Sequence, residues 1–98
     1  MEYEIETTDV FDTWLDEQTD EEAVGAIVAR INRVRHGLFG DAERVGGKVT
    51  ELKVDTGQGY RVYLTIRGRT VVILLMGGTK KTQKRDIKAA KKMVEALG

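Results

Sequence analysis

Apolar positions along the chain change their period several times, and each change marks an element. Tyr3-Glu4-Ile5-Glu6 alternates apolar and acidic residues, the period of a short half-buried strand. Asp9 can cap a helix that carries Phe11, Trp14 and Leu15 on one face, where the two aromatic rings read as core residues rather than ligand stackers. Thr19-Asp20-Glu21-Glu22 has the form of a capping box, with Thr19 and Glu22 answering each other's backbone amides. The helix it opens places Val24, Ile27, Val28, Ile31 and Val34 at the i, i+3, i+4, i+7 spacing of a core-facing stripe, and should end near His36-Gly37.

Periodicity is then lost. Leu38-Phe39-Gly40-Asp41 and Val45-Gly46-Gly47-Lys48 read as a glycine-rich connection, without the strand context or spacing of a dinucleotide fingerprint. Strands are expected at 49–55, 60–67 and 69–76, turned by Gly57-Gln58-Gly59 and by Arg67-Gly68. The last is apolar from Val71 through Met76, as a central strand covered on both faces would be, and it breaks at Gly77-Gly78. A final helix from about Thr82 buries Ile87, Ala90, Val94 and Leu97. The expected order is β-α-α-β-β-β-α, an α+β class with the helices clustered against one antiparallel sheet, as a single domain over residues 1–98.

Composition narrows the chemistry. Ninety-eight residues make one small core, and no cysteine is available for a disulfide or a thiolate metal site. One histidine, His36, argues against a histidine-rich metal centre; beside Arg33 and Arg35 it reads as an exposed helix-end residue that suits the dipole. No apolar run approaches the roughly 20 residues of a membrane span, and the acidic N-terminus does not read as a signal peptide, so a cytoplasmic protein is expected.

Net charge is zero but unevenly distributed. Residues 1–22 hold ten acids and no base, leaving all 16 bases and 6 acids to residues 23–98. Such asymmetry fits a basic binding surface with an acidic segment placed elsewhere. Lys53, Arg61 and Tyr63 occupy odd strand positions while Leu52, Val54, Val62 and Leu64 fill even ones, so one sheet face is apolar and the other cationic with a phenol. Glu51 shares that register, as a salt-bridge partner or a proton acceptor. Helix N-termini prefer acids, yet the final helix is approached by Lys80 and Lys81 and begins with Lys84 and Arg85. Free amides and lysines together suit an anion, although the G-x-x-x-x-G-K-[ST] spacing of a nucleotide hydrolase is absent.

Taken together, several segments resemble the RelE/ParE superfamily of toxins from bacterial toxin–antitoxin modules, and most closely its HigB-like, phage Gp49-like branch of addiction-module killer proteins. The similarity spans nearly the whole chain. It is carried by Phe11-x-x-Trp14-Leu15, Arg30-Ile31-x-Arg33, Gly40-Asp41, Glu51-Leu52-Lys53, Gly57-x-Gly59-Tyr60-Arg61-Val62-Tyr63, Leu74-Leu75-x-Gly77-Gly78-x-Lys80 and Gln83-x-x-Asp86-Ile87-x-x-Ala90.

The resemblance implies a curved antiparallel sheet with two N-terminal helices packed on one face. It also implies a metal-independent, cofactor-free endoribonuclease acting on messenger RNA in the ribosome, in which the 2′-hydroxyl attacks the neighbouring phosphate. Arg61 and Lys53 match basic positions of that family and Lys80 falls near one; with Tyr63 they form the expected catalytic set, and Lys48, Lys81, Gln83, Lys84 and Arg85 are expected to bind RNA. Arg61 would stabilise phosphate charge, Lys53 would stabilise developing charge or shuttle a proton, and Lys80 would stabilise the leaving oxygen. The implied partners are the ribosome, its messenger and a HigA-like helix-turn-helix antitoxin, with DNA reached only through that antitoxin and no membrane. Two departures stand out: Asp86 and Ile87 lie where some relatives carry a catalytic tyrosine or histidine, and Glu51 where a lysine occurs in RelE itself. Tyr63, Glu51 and Asp86 are therefore the candidates for proton transfer. The alternatives are a ParE-like gyrase poison, which needs no phosphate-gripping set, and a degenerate toxin that retains only antitoxin binding.

Overall fold

In the computed structural model, which describes residues 2–98, the chain runs β1 (Glu4–Thr7), α1 (Asp9–Asp16), α2 (Glu21–Arg35), β2 (Ala42–Gly46), β3 (Val49–Val54), β4 (Tyr60–Arg67), β5 (Val71–Thr79), a 3-10 turn at Lys80–Thr82, and α3 (Gln83–Leu97). The strands form one sheet in the order β1-β5-β4-β3-β2. Neighbours from β2 to β5 are antiparallel, but β1 runs parallel to β5, so the sheet is mixed rather than antiparallel throughout. A parallel neighbour needs a long crossover, and here α1, α2 and three strands supply it. This is a small α+β fold with three helices and an open sheet of five strands.

β2 lies where the glycine-rich connection was expected. Its only apolar branched residue is Val45, too little to set a period; pairing with β3 makes it a strand. The hairpin turns through Gly47 and Lys48, both at positive φ (57° and 62°), as a tight two-residue turn between twisted strands requires. β5 likewise does not break at its glycines but continues to Thr79. A Cβ on Gly77 would collide with the Trp14 ring, and one on Gly78 with the Asp86 carboxylate, so both glycines are close-approach positions within the strand.

Cap positions also differ from expectation. Thr8, not Asp9, caps α1 by accepting from the amide of Phe11 at 3.0 Å. Asp20, not Thr19, caps α2 by accepting from the amide of Ala23 at 3.1 Å.

The two N-terminal helices cover one face, over Leu52, Val54, Val62, Leu64, Val72 and Leu74. The α2 stripe is rotated from the expected one. Ala23, Ile27 and Val34 are fully buried, whereas Val24 and Ile31 are half-buried and Val28 is 50% exposed. At about 100° per residue the inward line is 23–27–30–34, and its third member is the half-buried Arg30. That guanidinium donates to the carbonyls of Lys53 (2.5 Å), Phe39 (2.9 Å) and Asp41 (3.1 Å), tying α2 to the strands beneath.

α3 lies on the opposite face, over Val49, Tyr63, Ile73 and Leu75, so the helices do not all cluster on one side. Ala90 is buried there, Ile87 and Val94 are half-buried, and Leu97 in the last turn is 39% exposed rather than core. β5 is covered on both faces, as its unbroken apolar run requires. No helix of the described residues is long and apolar enough to cross a membrane.

Candidate functional site

Pairing of β3 with β4 sets Lys53 opposite Arg61 and Glu51 opposite Tyr63; pairing of β4 with β5 sets Gly78 opposite Arg61 and Met76 opposite Tyr63. The expected gathering of Lys53, Arg61 and Tyr63 on one face is therefore present, and Glu51 joins them. That face is not open, however. The first turns of α3 lie over it, so Glu51 and Tyr63 have no exposed surface, Arg61 is 5% exposed and Asp86 of the helix 3%.

Burying a charge is costly unless it is paired and hydrogen-bonded, which makes the partners informative. The Glu51 carboxylate accepts from the side-chain amide of Gln83 at 2.8 and 3.0 Å, so half-buried Gln83 clamps the carboxylate from the first turn of α3. Thr82 accepts from the amide of Thr79 at 3.3 Å and donates to the Asp86 carboxylate at 2.5 Å. The other oxygen of Asp86 faces the guanidinium of Arg85 at 3.4 Å. Asp86 also supplies the acid that the first turn of α3 otherwise lacks, answering part of the lysine cluster there.

Arg61 is held less completely. One terminal nitrogen donates to the carbonyl of Tyr60 at 3.1 Å and lies 3.8 Å from the exposed carboxylate of Asp55, while Nε has no partner. The Tyr63 hydroxyl is buried and unpartnered as well. Burial raises its pKa above the ordinary 10.0, and the nearby Glu51 and Asp86 carboxylates raise it further against the opposing pull of Arg61. Tyr63 is therefore a neutral phenol at physiological pH.

Lys53 is partly exposed and meets Glu43 of β2 at 3.6 Å. Lys80 enters through the Gly59 turn: its amide donates to the carbonyl of Gly59 at 3.1 Å. A Cβ built on Gly59 would lie 3.6 Å from Cβ of Lys80 and 3.9 Å from Nη1 of Arg61, so both basic residues border one corner. Lys80, Lys81, Lys84 and Arg85 stand exposed around the start of α3. Lys48 does not join them. It sits in the β2–β3 turn, where its carbonyl accepts from the hydroxyl of Thr65, at the other end of β4.

Sequence periodicity missed the Thr82–Asp86 lock and the close approach of Gly78 beneath it. The signal available was the Gly77-Gly78 pair inside an apolar run, which marks close backbone approach as readily as a strand end. His36 is as expected, half-exposed at the end of α2 and 2.7 Å from the Glu2 carboxylate. Among the described residues no group of three or more His, Cys, Asp or Glu side chains is placed to hold a metal ion.

Comparison with known proteins shows the family of the chain. The profile described as "Phage derived protein Gp49-like (DUF891)" matches residues 13–96, from the middle of α1 to the end of α3. An uncharacterized protein of Haemophilus influenzae is 47% identical over 98 residues, which is all of this chain and 99% of that relative.

Proposed function

The chain belongs to the phage-derived Gp49-like family, associated with toxin–antitoxin systems, and on that premise we propose that it is a toxin that cuts ribosome-bound messenger RNA. The observation that carries this reading is Arg61, buried with an unpartnered Nε, beside a neutral phenol and two carboxylates, behind a mouth of exposed lysines. A buried guanidinium edge without a partner is costly to keep, and it matches what a phosphate oxygen would accept.

In the proposed reaction the 2′-oxygen attacks the adjacent phosphorus and the bond to the 5′-oxygen of the next nucleotide breaks. The products are a 2′,3′-cyclic phosphate and a 5′-hydroxyl. Arg61 and Lys53 offset the charge that builds on the phosphoryl oxygens. The 2′-hydroxyl proton passes to a carboxylate, Glu51 or Asp86, and the leaving oxygen takes a proton from Tyr63 or Lys80. Lys81, Lys84 and Arg85 attract the RNA backbone to the corner bordered by Gly59.

One observation favours a second reading, a toxin-family protein that binds its partners without chemistry: α3 covers Arg61 and Tyr63. Induction without the antitoxin, with messenger ends mapped by primer extension, separates the two. Cuts at codon positions in translated messages, reduced at least about 100-fold by Arg61→Ala, are the expected result. Growth arrest with intact messages would reject cleavage and point to a target such as gyrase. Soluble, folded protein without arrest would favour the partner-binding reading.

A further inference from the structure

β2, β3 and β4 extend beyond the end of α2. On the face that α1 and α2 cover, Leu52, Val62 and Leu64 are buried, but Arg44, Thr50 and Ile66, further along the same face, have no helix above them. Ile66 is 39% exposed and lines three hollows, two of which lie beside Arg44 and Thr50. One, of 310 Å³, is floored by Tyr3, Phe39, Ala42 and Thr50; the other, of 360 Å³, continues past Arg44 to Lys48. No aspartate or glutamate lines either hollow. Arg44 and Lys48 are exposed, and neither meets a carboxylate within ion-pair distance among the described residues.

Lys48 adds an independent sign. It is the one non-glycine residue at positive φ among the described residues, a conformation that costs roughly 1–2 kcal/mol for a side chain of this type. Glycine or asparagine would fill the turn more cheaply. A lysine there breaks the local rule and places a cation on the rim of the groove. Alongside runs the outer edge of β2, which is last in the sheet and pairs only with β3.

We propose that this groove docks an extended segment of a partner protein, acidic on its flanks and carrying one aliphatic anchor. Acidic residues answer Arg44 and Lys48, an aliphatic side chain covers Ile66, and an extended backbone suits the free edge of β2. Nucleic acid fits less well. Single strands bind by stacking bases on aromatic rings, and the rings here, Tyr3 and Phe39, are engaged edge to face with each other, their centroids 5.7 Å apart. The groove is also about 17 Å along β4 from Arg61, and on the other face. Its occupation does not depend on the nuclease reading.

The test is selection of a random twelve-residue peptide display library on the whole protein, followed by anisotropy titration of the best sequence as a labelled synthetic peptide. Recovered sequences should be rich in aspartate and glutamate around a leucine, isoleucine or valine. Arg44→Glu should weaken the peptide at least about tenfold, and Ile66→Lys similarly, whereas Lys92→Glu on the exposed side of α3 should not. Arg44 is exposed, so its variant keeps the test valid if Ile66→Lys fails to fold. A uridine dodecamer should not displace the peptide. Absence of binders, recovery without acidic bias, affinity unchanged in Arg44→Glu, or displacement by the oligonucleotide would each overturn the proposal.

Discussion

On the side covered by α1 and α2, the sheet buries Leu52, Val54, Val62, Leu64, Val72 and Leu74 against Phe11, Ile27 and Val34. On the side covered by α3, neighbouring positions of the same strands bury Glu51, Arg61 and Tyr63, and the helix adds Asp86. Each aliphatic side chain on the first side contributes up to about 1.5–3 kcal/mol on burial. On the second side two polar atoms, Nε of Arg61 and the hydroxyl of Tyr63, are buried without partners, and each costs roughly 1–3 kcal/mol where it is not satisfied. The contrast separates a purely apolar face from one on which Val49, Ile73, Leu75 and Ala90 share the interior with buried polar groups, the face on which the proposed chemistry would lie, within a sheet one residue thick. Strand alternation makes this possible, because each change of parity moves a side chain to the other layer.

The largest expected effect is on the apolar side. Leu74→Ala should lower the unfolding free energy by about 2–5 kcal/mol, measured by urea denaturation, without altering the arrangement beneath α3. A loss under about 1 kcal/mol would show that this face is not the main source of stability. Next come the adjacent glycines of β5, which point to opposite sides. Gly77→Ala pushes into Trp14 and Gly78→Ala into Asp86, and each should cost about 1–3 kcal/mol by overpacking. Only Gly78→Ala should also abolish messenger cleavage, since only it displaces the Thr82–Asp86 pair. Equal effects of the two on cleavage would break the separation of the faces.

Smaller is the effect of Tyr63→Phe. Removing an unpartnered buried hydroxyl should leave stability within about 1 kcal/mol of wild type, on the stabilising side, while cleavage falls. The same variant carries a pH signature. The Tyr63 pKa is raised in the folded protein, by burial first and then by Glu51. Its contribution is therefore complete below the ordinary value of 10.0 and is lost as pH rises beyond it towards the folded value. Denaturation midpoints measured through the alkaline range should fall more steeply for wild type than for Tyr63→Phe.

Much of this contrast was legible in the sequence. Alternation in 51–54 and 60–64 places Lys53, Arg61 and Tyr63 on one parity and the aliphatics on the other, and that division holds in the sheet. What alternation cannot give is the cover. Nothing local to Gln83-Lys84-Arg85-Asp86 states which layer α3 will occupy, so an open cationic face and a covered polar cluster look alike in sequence. The hydrogen bonds of Gln83 to Glu51 are hidden from the sequence for the same reason. β2 was missed because a strand with one branched apolar residue is defined by its partner, and the parallel pairing of β1 because it joins residues about seventy apart. The α2 stripe was set one position off because Arg30, whose charge suggests the surface, occupies the inward line and is satisfied by three carbonyls.

If the proposed reaction holds, the α3 side keeps Arg61 for it at the expense of stability, since the guanidinium is buried with its Nε unpartnered. Thermal unfolding and message-end mapping of Arg61→Met decide this together, since methionine fills similar space without the unpartnered nitrogen. The prediction is a midpoint equal to or above that of wild type, together with loss of codon-positioned cuts. A lowered midpoint with cleavage retained would contradict it, and would make Arg61 a structural residue.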